Sequence, residues 1–213
     1  MNTVTTSATH PSQIQGKLLA PGIVSYSNVM QDPAGLIRDL DGLTEMRQLV
    51  WQPGQQGSGI QNRAGALTRS IRDVETVSIP AFAKTPELKA TGGVLAVLSD
   101  LLDANLLPLL NAYSSQFGIG GDLDNEGWQL LKYGTGQHFD RHADAAKMFQ
   151  RRVSMSFYLN SDFEGGEIEF DQFNLKIKPE TNQVVFFPST YVYTHKVWPV
   201  ISGLRYCVVG WFH

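Results

Sequence analysis

Apolar residues recur at two different periods along this chain, and the change falls near position 125. Before it the spacing is helical. Asp32-Pro33 opens a helix, with aspartate as N-cap and proline at the first helical position. Leu36, Ile37, Leu40, Leu43 and Leu49 then follow at helical spacing. A second helix is predicted from about Gly93 to Tyr113. Its leucines (among them Leu95, Leu98, Leu102, Leu106 and Leu109) make it too apolar for a lone surface helix, so it should pack on a sheet, with Pro108 as the place for a kink. Gln52 to Arg69, with Pro53, Gly54, Gly57, Gly59 and Gly65, reads as a loop. Loops of that length inside a compact domain are often functional, and this one is expected to act as a lid or a groove wall. A glycine-rich turn, Gly118 to Asp122, follows the second helix.

From Trp128 onward, short β-rich runs alternate with turn residues. The runs are Trp128 to Tyr133, Val153 to Leu159, Glu167 to Phe170, Leu175 to Ile177, Val184 to Phe187, Tyr193 to Val197 and Leu204 to Phe212. This spacing predicts a β sandwich or barrel. The expectation is a helical N-terminal half supporting a β core in one domain, since no linker separates the two textures.

Composition narrows the picture only slightly. The chain has 213 residues, enough for one sizeable core, and 42% of them are hydrophobic. Seventeen basic and 20 acidic residues leave a net charge of −3, with no basic run, so neither nucleic acid nor an anionic membrane is expected as a partner. The polar segment Met1 to Gln15 reads as a disordered tail without a secretory signal. No run of roughly 18 apolar residues is seen. The single cysteine, Cys207, excludes an internal disulfide and makes a cytoplasmic location the simplest expectation. Its apolar neighbours make it a buried small hydrophobe rather than a nucleophile.

The chemistry lies in the β-rich half. His142 and Asp144 form an H-x-D pair, and on a strand positions i and i+2 share a face, so both can reach one metal. His195 is the best third ligand. Two imidazoles and one carboxylate on one face, with three positions left open, suit non-haem Fe(II). An H-x-D triplet alone is weak, since such triplets arise by chance. Arg205, ten residues after His195 on the next predicted strand, could clamp a distant carboxylate bidentately. Tyr133 and Tyr158 flank the pair on their own strands. His138 lies on the same strand face but roughly 13 Å away, too far to share a metal whose bonds are about 2 Å. His213 is read as a mobile chain end, and Gly165 and Gly166 as a turn.

Five stretches then carry a resemblance. They are YGTGQHFDRHAD (Tyr133 to Asp144), RRVSMSFYLN (Arg151 to Asn160), FEGGEIEF (Phe163 to Phe170), VVFFPS (Val184 to Ser189) and HKVWPVISGLRYCVVGWF (His195 to Phe212). In order and spacing, Trp128 to His213 resembles the catalytic core of the prolyl 4-hydroxylase-like 2-oxoglutarate/Fe(II) dioxygenases. The first 125 residues match far less clearly.

The resemblance implies a mainly β fold, a double-stranded β-helix (jelly-roll) core packed against N-terminal helices. The domain layout expected is a tail over 1–18 and one domain over 19–213, with 19–125 as helical support and substrate loop and 126–213 as the catalytic core. The resemblance also implies roles. His142, Asp144 and His195 would hold iron. Arg205 and Tyr158 would hold the far carboxylate of 2-oxoglutarate, and Tyr133 would line that pocket. Arg151 and Trp211 would sit at the substrate mouth. Fe(II), 2-oxoglutarate and oxygen are the implied cofactors, with ascorbate as an auxiliary. The substrate would be a prolyl residue of a peptide or protein, or else a free amino acid or small metabolite. Related halogenases lack the carboxylate that Asp144 keeps, so hydroxylation is the implied reaction.

Overall fold

The structure is a computed structural model that describes residues 16–54, 72–80, 93–145 and 150–213. Its first helix, α1 (Pro33–Glu45), starts where the sequence places it. The Asp32 carboxylate accepts a hydrogen bond from the Gly35 amide at 2.7 Å, a cap that contributes about 1 kcal/mol. The second helix, α2 (Val94–Phe117), runs through Pro108 and ends one turn later than expected, at Gly118 in the left-handed conformation. By length and mean hydropathy, though not as an unbroken apolar run, this helix is long and apolar enough to cross a bilayer. Leu98, Leu102, Leu106, Leu109 and Tyr113 are nevertheless buried in the core cluster of this fold, as a core helix requires.

The strands, in chain order, are β1 (Lys17–Ala20), β2 (Ile23–Ser27), β3 (Gln52–Pro53), β4 (Arg72–Asp73), β5 (Glu75–Pro80), β6 (Asn125–Tyr133), β7 (His138–His142), β8 (Val153–Tyr158), β9 (Glu164–Gly165), β10 (Ile168–Phe170), β11 (Leu175–Ile177), β12 (Gln183–Pro188), β13 (His195–Val197), β14 (Val200–Ser202) and β15 (Arg205–Phe212). Eight form a major sheet in the order β1-β2-β12-β8-β15-β6-β5-β3, and five form a minor sheet, β11-β10-β13-β7-β4. Strands β14 and β9 pair separately. Every pairing within these sheets is antiparallel. The two sheets face each other around a shared apolar cluster, which includes Leu131, Tyr133, Tyr158 and Phe187 from one and Ile168, Phe170 and Val197 from the other. This is the expected jelly roll.

Two expectations are corrected. The N-terminal half is not only helical support, because β1, β2, β3 and β5 supply four of the major sheet's eight strands. Two short strands, Lys17–Ala20 and Ile23–Ser27, are too short to show a clear period; β2 joins the sheet by pairing with β12, and β1 pairs with β2 at the edge. The tail boundary also moves, since β1 begins at Lys17, inside the segment assigned to a disordered tail; residues 1–15 lie outside the described residues. Gln52 and Pro53, the first residues of the anticipated loop, pair with Thr76 and Glu75, and its residues from 55 onward lie outside the described residues.

The fold positions the site through strand alternation. On β15, Tyr206, Val208 and Phe212 belong to the cluster beneath the helices, while Cys207 belongs to the cluster between the sheets. On β8, Val153, Met155 and Phe157 join the first cluster and Tyr158 the second. Arg205 therefore starts the central strand β15 with its side chain fully buried, at 1% exposure, rather than on an exposed edge.

Candidate active site

His142 ends β7 and His195 opens β13, and these two residues are register partners across the minor sheet. Their rings lie 4.4 Å apart between centroids. Asp144 does not continue the strand. It sits two residues past the end of β7, in the bend, so a turn and not the strand face delivers its carboxylate. One carboxylate oxygen is 3.6 Å from Nε2 of His142 and the other 3.9 Å from Nε2 of His195. All three side chains offer a ligand atom within 4.8 Å of the others, the one such group of three among the described residues.

The imidazoles are preset for a cation. His142 Nδ1 faces the Asp140 carbonyl at 2.8 Å, and His195 Nδ1 faces the Tyr193 carbonyl at 3.1 Å. A carbonyl only accepts, so Nδ1 carries the proton in each ring and Nε2 presents its lone pair to the cluster. Burial pushes His195 down to about 4, which keeps it neutral at pH 7. Burial would raise the Asp144 carboxyl, but the His195 and His142 imidazoles and the Ser154 hydroxyl hold it well below the usual carboxylate range. Two neutral nitrogens and one carboxylate fit a divalent cation with about 2 Å bonds after a small closure of the side chains.

Aromatic rings fix the imidazoles. Phe139 stacks on His142 at 3.6 Å and 15°. Phe187 and Phe170 flank His195 at 4.8 and 5.4 Å. Residues 139 and 142 differ by three and would face opposite ways on a regular strand. A register shift between the pairs His195↔His142 and Val197↔Phe139 brings them together.

Arg205 lies at the floor of the same cavity, between the rings of Tyr133 (4.8 Å) and Tyr158 (5.2 Å). Its Nη1 donates to Cys207 Sγ at 3.2 Å. The guanidinium lies beside both phenols, but the Tyr158 hydroxyl and Arg205 Nε are buried without hydrogen-bond partners. Burial pushes Tyr133 up to about 12 and raises Tyr158 as well, so both phenols stay neutral. Leaving two such donors unmet would cost roughly 1–3 kcal/mol each, which an incoming carboxylate would recover. Gly166, at φ +66°, adds room: a Cβ there would come within 2.9 Å of Arg205 Cδ. Gly165 ends β9 and pairs with Val200 rather than forming the expected turn, and Gly166, just past the strand, backs the arginine. A buried guanidinium beside a two-histidine, one-carboxylate cluster is a donor set that could receive a carboxylate. Cys207 is buried as expected, with its thiol raised by burial.

Trp211 lines the cavity, and the Arg151 guanidinium stacks on its ring at 4.1 Å. His138 stays out of the cluster, beside Asp140 at 3.7 Å. His213 is tied down rather than loose, through backbone bonds to Asp124 and a 3.3 Å contact with Glu126. Sequence reasoning missed Phe139 and Arg72. Arg72 lines the cavity from β4, with its guanidinium 5.0 Å from the Phe139 ring centre and Nη2 donating to Gln129 at 2.6 Å. No local motif flags it, because only β4–β7 pairing brings it to the site.

Comparison with known proteins agrees with this geometry. Residues 128–213 match the family model of the 2OG-Fe(II) oxygenase superfamily. This segment resembles that superfamily. A PKHD-type hydroxylase of Prochlorococcus marinus (strain MIT 9215) is 28% identical over 173 residues, covering 78% of this chain and 67% of the relative. Another, from Crocosphaera subtropica, is 36% identical over 94 residues, 40% of this chain and 41% of its own length. The oxygenase fold is shared with a Trichoplax adhaerens prolyl hydroxylase solved with a hypoxia-inducible-factor peptide fragment (TM-score 0.65, 19% identity, 90% of this chain and 83% of that one). The chain is thus similar to the 2OG-Fe(II) oxygenases and PKHD-type hydroxylases, a family that works with Fe(II), 2-oxoglutarate and oxygen.

Proposed function

We propose that this oxygenase hydroxylates a prolyl residue of a peptide or protein. His142, Asp144 and His195 hold the iron, and Arg205 with Tyr158 holds the far carboxylate of 2-oxoglutarate. The observation that carries the reading is the buried Arg205, which lines the same cavity as the two-histidine, one-carboxylate cluster and has its Nε unmet, with the unmet Tyr158 hydroxyl on the ring beside it. The bound iron, 2-oxoglutarate and oxygen supply the oxidising chemistry, in which 2-oxoglutarate loses carbon dioxide to become succinate and one oxygen atom enters a substrate C–H bond.

The chain's own residues supply geometry and dryness. The Nδ1–H bonds to Asp140 and Tyr193 keep both imidazoles in the ligating tautomer. Tyr133 walls the co-substrate, and Leu131, Ile168 and Val197 exclude water from the cavity. Trp211 offers an apolar face at the mouth against which a pyrrolidine ring can pack. The prolyl assignment draws support from the likeness to prolyl hydroxylases and PKHD-type hydroxylases.

The test measures succinate formed from 2-oxoglutarate with no substrate, with proline-containing peptides, and with free proline and other amino acids. Peptide-stimulated succinate with a matching +16 Da product supports the proposal. Stimulation by free amino acids alone would make the protein a small-metabolite hydroxylase. No succinate under any condition, with iron bound, would overturn the enzyme reading.

A further inference from the structure

The resemblance places Arg151 at the substrate mouth, yet its hydrogen-bonding groups point elsewhere. Nε donates to Glu126 Oε1 at 2.8 Å and Nη2 to Glu126 Oε2 at 2.7 Å, a bidentate pair. The remaining arm, Nη1, donates to the backbone carbonyl of Asp144 at 3.3 Å. Trp211 covers the guanidinium plane at 4.1 Å, and His213 backs Glu126 at 3.3 Å. Both carboxylate oxygens of Glu126 are thereby engaged, and the arginine is neutralised and oriented.

Asp144 is the one ligand that no strand holds. Its bend is pinned at two backbone points: its own carbonyl by Arg151, and the next amide, Ala145 N, by the Ser189 carbonyl at 2.8 Å. Ser189 is itself fixed to the β8 end through its amide bond to Arg152 O (3.1 Å) and its hydroxyl contact with Ser154 (2.7 Å). From these contacts we infer that Glu126 and Arg151 are positioning residues that brace the carboxylate ligand Asp144 from β6, and that Arg151 acts on the metal through that backbone and not on the substrate. The brace rests on His142, Asp144 and His195 being the metal ligands. It explains why a half-buried ion pair stands beside the cluster: a ligand delivered by a turn needs an anchor that a strand ligand receives from its ladder.

The experiment is an anaerobic Co(II) titration of the metal-stripped full chain without co-substrate, followed by the visible absorption of the bound ion. Residues that orient a ligand typically change metal affinity about 10- to 100-fold, and Arg151→Met should fall in that range. Glu126→Gln should weaken Co(II) in the same direction by less, and the double variant should be no worse than Arg151→Met, because Glu126 acts through the arginine. In turnover, the KM for the stimulating peptide should stay at the parent value in both variants once metal is saturating. Parent-like Co(II) affinity in Arg151→Met, with a raised peptide KM, would overturn the brace and return Arg151 to the substrate mouth. If Arg151→Met does not fold, Glu126→Gln decides, and unchanged Co(II) affinity there overturns the proposal. A parent chain that binds no Co(II) would overturn the ligand assignment, and the brace with it.

Discussion

On β15, Tyr206, Val208 and Phe212 pack beneath the helices, whereas Arg205 and Cys207 line the cavity between the sheets beside Trp211. The two faces of the major sheet are thus built from the same strands but satisfy different rules. The helix face is closed by α1 and α2 with apolar side chains such as Leu40, Leu106, Phe157 and Phe186, all fully buried. Two of its buried phenols find partners inside the protein: Tyr206 OH donates to Asp41 at 2.9 Å and Tyr113 OH to the Gly22 carbonyl at 2.8 Å. The cavity face instead buries Arg205, His195 and Asp144 among aromatics and leaves the Arg205 Nε and Tyr158 hydroxyl unmet. One face stores stability. The other gives up some of it to stay ready for charged ligands.

The sharpest way to break this contrast is at the metal cluster. His195→Ala should abolish succinate formation and hydroxylation while the far-ultraviolet circular dichroism stays native. His142→Ala and Asp144→Gly should do the same. Normal turnover in a folded variant would show that the residue is not a ligand.

Phe157→Ala, on the opposite face of the same sheet, should show the reverse. Losing a fully buried phenylalanine costs roughly 3–5 kcal/mol, which for a chain of this size lowers Tm by about 6–20 °C. In the fraction still folded, the 2-oxoglutarate requirement should be unchanged. A thermal melt paired with the succinate assay checks both, and a large change in that requirement would mean that the two faces are not separable.

Arg205→Ala tests the cavity floor. Truncating one partner of a buried charge pair costs roughly 2–5 kcal/mol, so the 2-oxoglutarate requirement should rise by at least about tenfold, since each ~1.4 kcal/mol is a factor of ten. Arg205→Lys should be intermediate, because lysine keeps the charge but loses the planar fork. A 2-oxo acid without the distal carboxylate should be a poor co-substrate for the parent and lose little more in Arg205→Ala. Equal weakening of both co-substrates would mean that Arg205 supports the fold instead.

The smallest effect is expected on the minor sheet's outer surface. There Lys196 pairs with Glu169 at 3.0 Å and lies over Trp198 at 4.0 Å. Exposed contacts of this kind are worth about 1 kcal/mol or less, so Lys196→Ala should shift Tm by no more than about 4 °C and leave turnover at the parent rate. A large loss of activity would show that this surface communicates with the adjacent His195.

Sequence by itself determined which residues could do the chemistry and where the main elements lie. The cap at Asp32, the leucine period of α2 and the β-rich runs of β8, β12 and β15 are local properties, and each element formed within a few residues of its expected span. His142, Asp144 and His195 were legible as a candidate cluster because their types and order carry chemistry, whereas Arg205, Tyr133 and Tyr158 drew their expected roles from the resemblance. Other features belong to tertiary structure, because they arise from pairings between distant segments. The short strands β1, β2 and β5 become sheet only by bonding to β12 and β6. Arg72 reaches the cavity only through β4–β7 pairing, and Phe139 meets His142 only because a register shift breaks the two-residue alternation. Asp144 looks in sequence like a strand neighbour of His142, but a bend carries it, and Glu126, 18 residues earlier in the chain on β6, is linked to it only through Arg151. Backbone hydrogen bonding and packing decide such meetings, and neither leaves a periodic trace in the residues that they bring together.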